Sequence, residues 1–322
     1  MKTFEEFEAF YNSELISNLK EIDKVRKKNL RDGLICTFIF LAAIGGSVAV
    51  ILAAELSNGW KVGIIIGLLV IAVVLCIPSF KRLSKYNYKS RFKKKVIEPI
   101  IHFISDDLSY SPKNFISQQD FINSRLFLQK IDRYKGDDFV EGFIDKTKFH
   151  FSEIKAEYVT RRKNQKSYHT IFKGIFFIAD FNKSFEGSTV LLPNYLGGGL
   201  TFLKKISGIT RREKFVKLED NEFMRNFNCY SDDDVKARYI LSPALMQRLN
   251  DFKDKYPKNP IYISFVDDHI YVGVSHTKDL FEPTYFTTII NFEKVKSYFE
   301  DVKLTVDIVE ELNLNTRIWT KK

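Results

Sequence analysis

Residue types that could carry metal, phosphate or acid–base chemistry are few in this chain, and their spacing fits none of these chemistries well. Asp232, Asp233 and Asp234 are the densest acids. Consecutive carboxylates can share a divalent cation, but such sites draw oxygens from several elements, and a loop of acids is commonly just hydrated. Five histidines (His102, His150, His169, His269 and His276) show no H-x-x-x-H or other ligand spacing, although a single histidine would suffice for proton transfer. Gly197 to Gly199 could cradle a phosphate, yet no Lys-Ser/Thr pair follows. Cys229 is a lone thiol, the chain has no G-x-S-x-G, and no catalytic residue, metal set or cofactor is expected. Lys173, Asp180, Asn182 and Lys183 remain. They are polar residues among aromatics in the run FKGIFFIADFNK at 172–183 and form a candidate ligand-binding group where a strand emerges. They could equally satisfy a sheet edge.

The charge pattern points elsewhere. Fifty Lys and Arg against 40 Asp and Glu give +10 over 322 residues, a balance that invites a nucleic-acid reading. Residues 81–95, however, hold Lys81, Arg82, Lys85, Lys89, Arg91, Lys93, Lys94 and Lys95 with no acid, and the rest of the chain is close to neutral. A nucleic-acid binder spreads its cations over a domain face, so no nucleic-acid partner is expected.

The basic run follows two apolar stretches. Leu34 to Ala54 contains no charged residue, and Val62 to Phe80 contains none either. A helix rises about 1.5 Å per residue, so each is long enough to cross a hydrocarbon core of about 30 Å. Glu55 to Lys61 allows only a tight turn, with Trp60 at headgroup level. Lys24, Arg26, Lys27, Lys28 and Arg31 precede the first stretch and the basic run follows the second, so a transmembrane helical hairpin with both termini cytoplasmic is expected. Lys81, Arg82, Lys85, Lys93, Lys94 and Lys95 then become candidate contacts to lipid headgroups.

The elements around the spans follow from periodicity. Phe4, Phe7, Tyr11, Leu15, Leu19 and Ile22 form a helical stripe over residues 1–33 that wants a partner, and the apolar residues from Val96 to Leu108 lie within reach below the membrane. From about residue 110 the period changes to two. Phe149 and Phe151, then Ile154, Ala156 and Tyr158, predict a strand with a phase change near Ser152, returning through Ile171–Phe181. Shorter strands are expected at Val190–Leu192, Phe215–Leu218 and Ala237–Leu241. Ser242-Pro243 starts a helix, Ile261–Val266 and Ile270–Val274 flank a hairpin turn, and Phe292 to Leu312 is helical. The reading is an α+β chain: helix 1–33, hairpin 34–80, basic helix 81–109, and a cytoplasmic domain over 110–322 with a largely antiparallel sheet and a C-terminal helix. A partly open barrel of pleckstrin-homology type is one arrangement such strands could take.

The run at 172–183, preceded by GDDFVEGFID at 136–145 and FSEIKAEY at 151–158, and followed by ARYILSPALMQRL at 237–249 and LFEP at 280–283, resembles the uncharacterised bacterial family catalogued as domain of unknown function 3137. The resemblance covers most of residues 110–315. It implies a membrane-anchored bacterial protein with a cytoplasmic domain, and no activity. The expectation is therefore a binding or scaffolding module of the bacterial inner membrane, with the bilayer and a protein partner or second copy as its contacts. The alternatives are a membrane-proximal enzyme whose site forms only in three dimensions, or a sensor of anionic lipid using the basic connectors Arg161, Arg162, Lys163, Lys166 and Arg211, Arg212, Lys214.

Overall fold

The computed structural model describes residues 2–52, 58–82, 85–144, 146–162, 165–181, 186–194 and 213–312. They form two compact units. The helical unit comprises Met1–Pro99 with Glu282–Lys296, and the sheet unit comprises Ile100–Phe281 with Ser297–Lys322.

In the helical unit, Thr3 and Glu6 form a reciprocal capping box that starts α1 (Phe4–Phe10). A π-type turn at Tyr11–Leu15 leads without a break into α2 (Ile16–Leu52). Repeated steps of four residues drift around a helix of 3.6 residues per turn. The wider π turn, with its i→i+5 bonding, keeps Phe7, Tyr11, Leu15 and Leu19 on one buried line. Among the described residues, Phe4–Ile51 is a helix long and apolar enough to cross a membrane, and Val62–Leu75 is a shorter apolar segment within α3 (Asn58–Arg82). Helix α4 (Lys85–Phe92) and a second π-type turn (Lys93–Ile97) follow, and α5 (Glu98–Ile104) passes from this unit into the sheet unit.

The stripe finds the partner expected around Val96 and also one that periodicity did not indicate. Val96 and Ile97 are buried, Asn18 donates its amide to the Lys95 carbonyl at 3.1 Å, and Phe292 packs edge-on against Tyr11 and tilted against Phe7.

Among the described residues of the sheet unit, nine antiparallel strands run in the order β1-β2-β3-β4-β9-β8-β5-β7-β6. They are β1 (Ser109–Ser111), β2 (Arg133–Ile144), β3 (Thr147–Arg162), β4 (Gln165–Asp180), β5 (Ser188–Pro193), β6 (Lys214–Val216), β7 (Phe227–Ser231), β8 (Ile261–Val266) and β9 (His269–Ser275). Among the described residues no pairing joins the three-residue strands β1 and β6 at the two ends of this order, so the sheet is not closed into a barrel there. Short edges limit pairing with other chains.

Both faces of the sheet are covered, which explains the phase change near Ser152. Ile154 and Ala156 join Phe121, Phe127, Phe172, Phe176 and Tyr271 in one core, while Phe149, Phe151, Ile175 and Phe177 are buried on the other face by the strict alternation of strands. β3 itself is continuous; its register slips later, between Ala156 and Glu157.

Among the described residues, the further helices of this unit are α6 (Gln118–Asn123), α7 (Asn221–Asn226), α8 (Asp234–Ile240), α9 (Pro243–Lys255) and α10 (Phe292–Glu311), whose first turn belongs to the helical unit. The strand expected at Ala237–Leu241 is instead the end of α8. The Asp233 carboxylate accepts the amides of Val235 and Lys236, and this cap commits the next residues to helix, with Ala237 and Ile240 on its buried face. Ser242 caps α9 as expected, and the β8–β9 turn places Asp267 at φ 53°.

Candidate functional site

Lys173 and Asp180 lie on the same strand, β4, but the structure does not bring them together. Seven residues at about 3.3 Å each put them roughly 23 Å apart, and odd spacing puts them on opposite faces. Asp180 stands in register with His269 on β9, its carboxylate 3.8 Å from the imidazole. Asn182 and Lys183 lie outside the described residues. Lys173 clamps the turn after β9. Its ammonium sits 2.6 Å from the Asp279 carboxylate and donates to the Thr277 carbonyl, while its own carbonyl accepts the His276 amide.

Near that clamp is a carboxyl group that sequence reasoning passed over. Glu153 on β3 is buried, and one of its oxygens accepts the Leu280 amide at 2.8 Å. Burial pushes its pKa up to about 8; the Leu280 bond lowers it, and Asp137, Asp138 and Asp279 raise it further. Asp137 is its register partner on β2. Asp138 occupies the bulge that follows, buried at φ 60° and accepting the Tyr110 hydroxyl. Gly136 admits no larger residue, since a Cβ there would lie 2.5 Å from the Glu153 carbonyl. These groups can hold a proton near neutral pH. The signal lay in Gly-Asp-Asp interrupting an alternating strand, a composition that marks bulges.

The acids at 232–234 have structural duties. Asp232 accepts the Ser188 amide, Asp233 caps α8, and Asp234 pairs with Arg238. Cys229 is buried on β7 with its thiol pushed up to about 12 by burial, so it is unreactive. The Gly197–Gly199 run lies outside the described residues.

In the helical unit a buried polar cluster joins α2 and α4 to segment 282–296. Arg26 bonds Asp23 at 2.7 Å and donates to the Tyr285 carbonyl at 3.0 Å. Burial alone would raise the Asp23 carboxyl, but its bonds to Arg26 and Lys27 more than offset this and hold it below the usual range. The Tyr88 hydroxyl donates to the Thr284 carbonyl, its ring meets Tyr285 edge-on at 4.9 Å, and burial pushes its pKa up. Lys89 and Lys93 both pair with Glu282.

This cluster bears on the headgroup candidates. Lys93 is only 2% exposed and faces Glu282, because the π turn rotates it into the unit, so it is not presented to a bilayer. Lys95 pairs with Glu21 at 2.5 Å, whereas Lys94 is exposed. Lys81, Arg82 and Lys85 lie on helix.

Residues 170–314, somewhat under half of the chain, match the model of a family described as "Protein of unknown function (DUF3137)". The match bears out the resemblance over those residues and does not reach the upstream segments at 136–145 and 151–158. No curated protein matches the chain. Among solved structures, the chain is similar to the "crystal structure of the mycobacterial trehalose monomycolate transport factor A, TtfA", with a TM-score of 0.31 and 11% identity over 69% of this chain and 94% of that one.

Proposed function

We propose that this protein is a membrane-anchored binding or scaffolding module, held in a bacterial inner membrane by a two-helix hairpin with both termini and the sheet unit on the cytoplasmic side. The observation that carries the reading is the exposure of large apolar side chains along the charge-free parts of α2 and α3. Leu34, Phe38, Leu41 and Ile51 on one helix, and Ile66, Val70 and Val74 on the other, are exposed. Soluble proteins rarely leave so large an apolar surface in water. A bilayer removes that cost. Gly46 on α2 supports pairing of the two helices, since a Cβ there would meet Leu68 of α3 at 3.6 Å.

The binding role is supported by the structural duties of Asp232, Asp233 and Asp234 and the burial of Cys229 within the sheet unit. Reporter fusions test the topology. A cytoplasmic reporter joined after Met1 or after Lys322 should be active, and a periplasmic reporter should be active only in the turn near Trp60. An active periplasmic reporter at either terminus would sink the proposed orientation. Cross-linking in membranes followed by purification should recover a stoichiometric partner or a second copy of the chain; repeated recovery of monomer alone would count against the scaffolding role.

A further inference from the structure

Segment 282–296 follows a directed course through the helical unit. Lys296 lies over the Phe4 ring, Phe292 meets Phe7 and Tyr11, Thr288 reaches Asp23, and the Tyr285 carbonyl takes Arg26. Traced backward from Lys296, the segment climbs α1 and α2 from residue 4 to residue 26, towards the apolar stretch. It then descends beside α4, with Thr284 on Tyr88 and Glu282 on Lys89 and Lys93. Its apex is therefore Tyr285–Thr287. Arg26 is eight residues before Leu34 on α2, about 12 Å of helix. The polar layer of a bilayer is roughly 5–8 Å deep on each side, so the apex lies just outside it.

The residue at that apex is unusual for water. Phe286 is 89% exposed, although its neighbours Thr284 and Tyr285 are pinned by hydrogen bonds to two helices. An aromatic ring held in that position has lost freedom and gained no burial within the protein. Lys24, Lys28 and Arg31 are exposed on α2 at the same level and above, a charge pattern complementary to anionic headgroups. We propose that Phe286 is a third membrane contact: the ring enters the headgroup layer and fastens the apex of segment 282–296 to the bilayer surface.

This inference rests on the anchored reading, and single-tryptophan proteins separate the two. One full-length protein keeps Trp60 and carries Trp319→Phe; the other carries Trp60→Phe, Trp319→Phe and Phe286→Trp. Each is reconstituted into phosphatidylcholine–phosphatidylglycerol vesicles whose acyl chains are brominated near the headgroup. Both tryptophans should lose emission relative to unbrominated vesicles, and the one at 286 should be shielded from aqueous iodide. If Trp60 is quenched while the tryptophan at 286 keeps its emission and stays open to iodide, the surface contact is overturned and the anchor stands. If neither is quenched, the anchor reading itself fails. The substituted position is exposed, so its variant should fold like the parent.

Discussion

Glu153 is the residue with the clearest measurable signature. Its carboxyl has a pKa of about 8 in the folded chain against an ordinary value of 4.5. Between those values the folded state keeps a proton that the unfolded state has released, so stability falls as pH rises through that window. Glu153→Gln keeps the bond from Leu280 and removes the charge. Its melting temperature should match the parent near pH 5 and exceed it by pH 8.5, by an amount corresponding to a stability gain on the order of a few kcal/mol. Parallel melting curves for both proteins across that range would show that Glu153 is not the titrating group. Asp301, raised to about 7 chiefly by burial and then by Glu300, acts with the same sign and should leave a residual slope in the variant. At Asp23 the argument is one of pairing. Arg26→Met leaves a buried carboxylate with only Lys27 and a long bond from Thr288 among its described partners and should cost about 3–5 kcal/mol, whereas combining it with Asp23→Leu should recover much of the loss. Chemical denaturation in detergent would compare them.

Among the elements, the β4–β9 pairing depends on one glycine. Gly174 has φ of 152°, and a Cβ there would fall 2.1 Å from the Val274 carbonyl of β9. Gly174→Ala should therefore break the register of the central strands and lower the melting temperature sharply, while Gly67→Ala, which meets open space, should leave circular dichroism and melting unchanged. Equal stability of the two variants would contradict the described register. Elements whose signals are local were legible in the sequence: the Ser242-Pro243 start, the 261–274 hairpin, the stripe from Phe7 to Ile22. The segment at Ala237–Leu241 was misread because five consecutive residues carry too little periodicity to separate strand from helix, and the deciding cap, Asp233, looked like part of an acidic run. The cluster around Glu153 stayed hidden for another reason. It needs a bulge at Asp138 and a loop at Asp279–Leu280, more than 120 residues away along the chain, to fold against one strand.

For the whole molecule, the division into units does not follow chain order. The helical unit borrows Glu282–Lys296 from between two parts of the sheet unit. No pattern in composition announces this, because Phe292 and Phe7 are related only through the finished fold. A fragment beginning at residue 100 should therefore keep its sheet but leave 282–296 without Phe7, Tyr11, Arg26 and Tyr88. Limited proteolysis should cut that fragment first within 282–296, at a site the full-length protein in vesicles protects; equal protection in both would show that the segment is ordered without the helices.

The pairing of Arg26 with Tyr285 also sets a clock on biosynthesis. The two residues are 259 positions apart, and ribosomes add about 5–20 residues per second. For roughly 13–50 s after Arg26 is made, Asp23 has part of its finished surroundings and the stripe from Phe7 to Tyr11 lacks Phe292. The apolar helix Phe4–Ile51 is complete for most of that interval, well before the helical unit can close around segment 282–296. A protein built in this order reports its own completion: only a chain translated past residue 292 can close the helical unit around Phe7 and Tyr11.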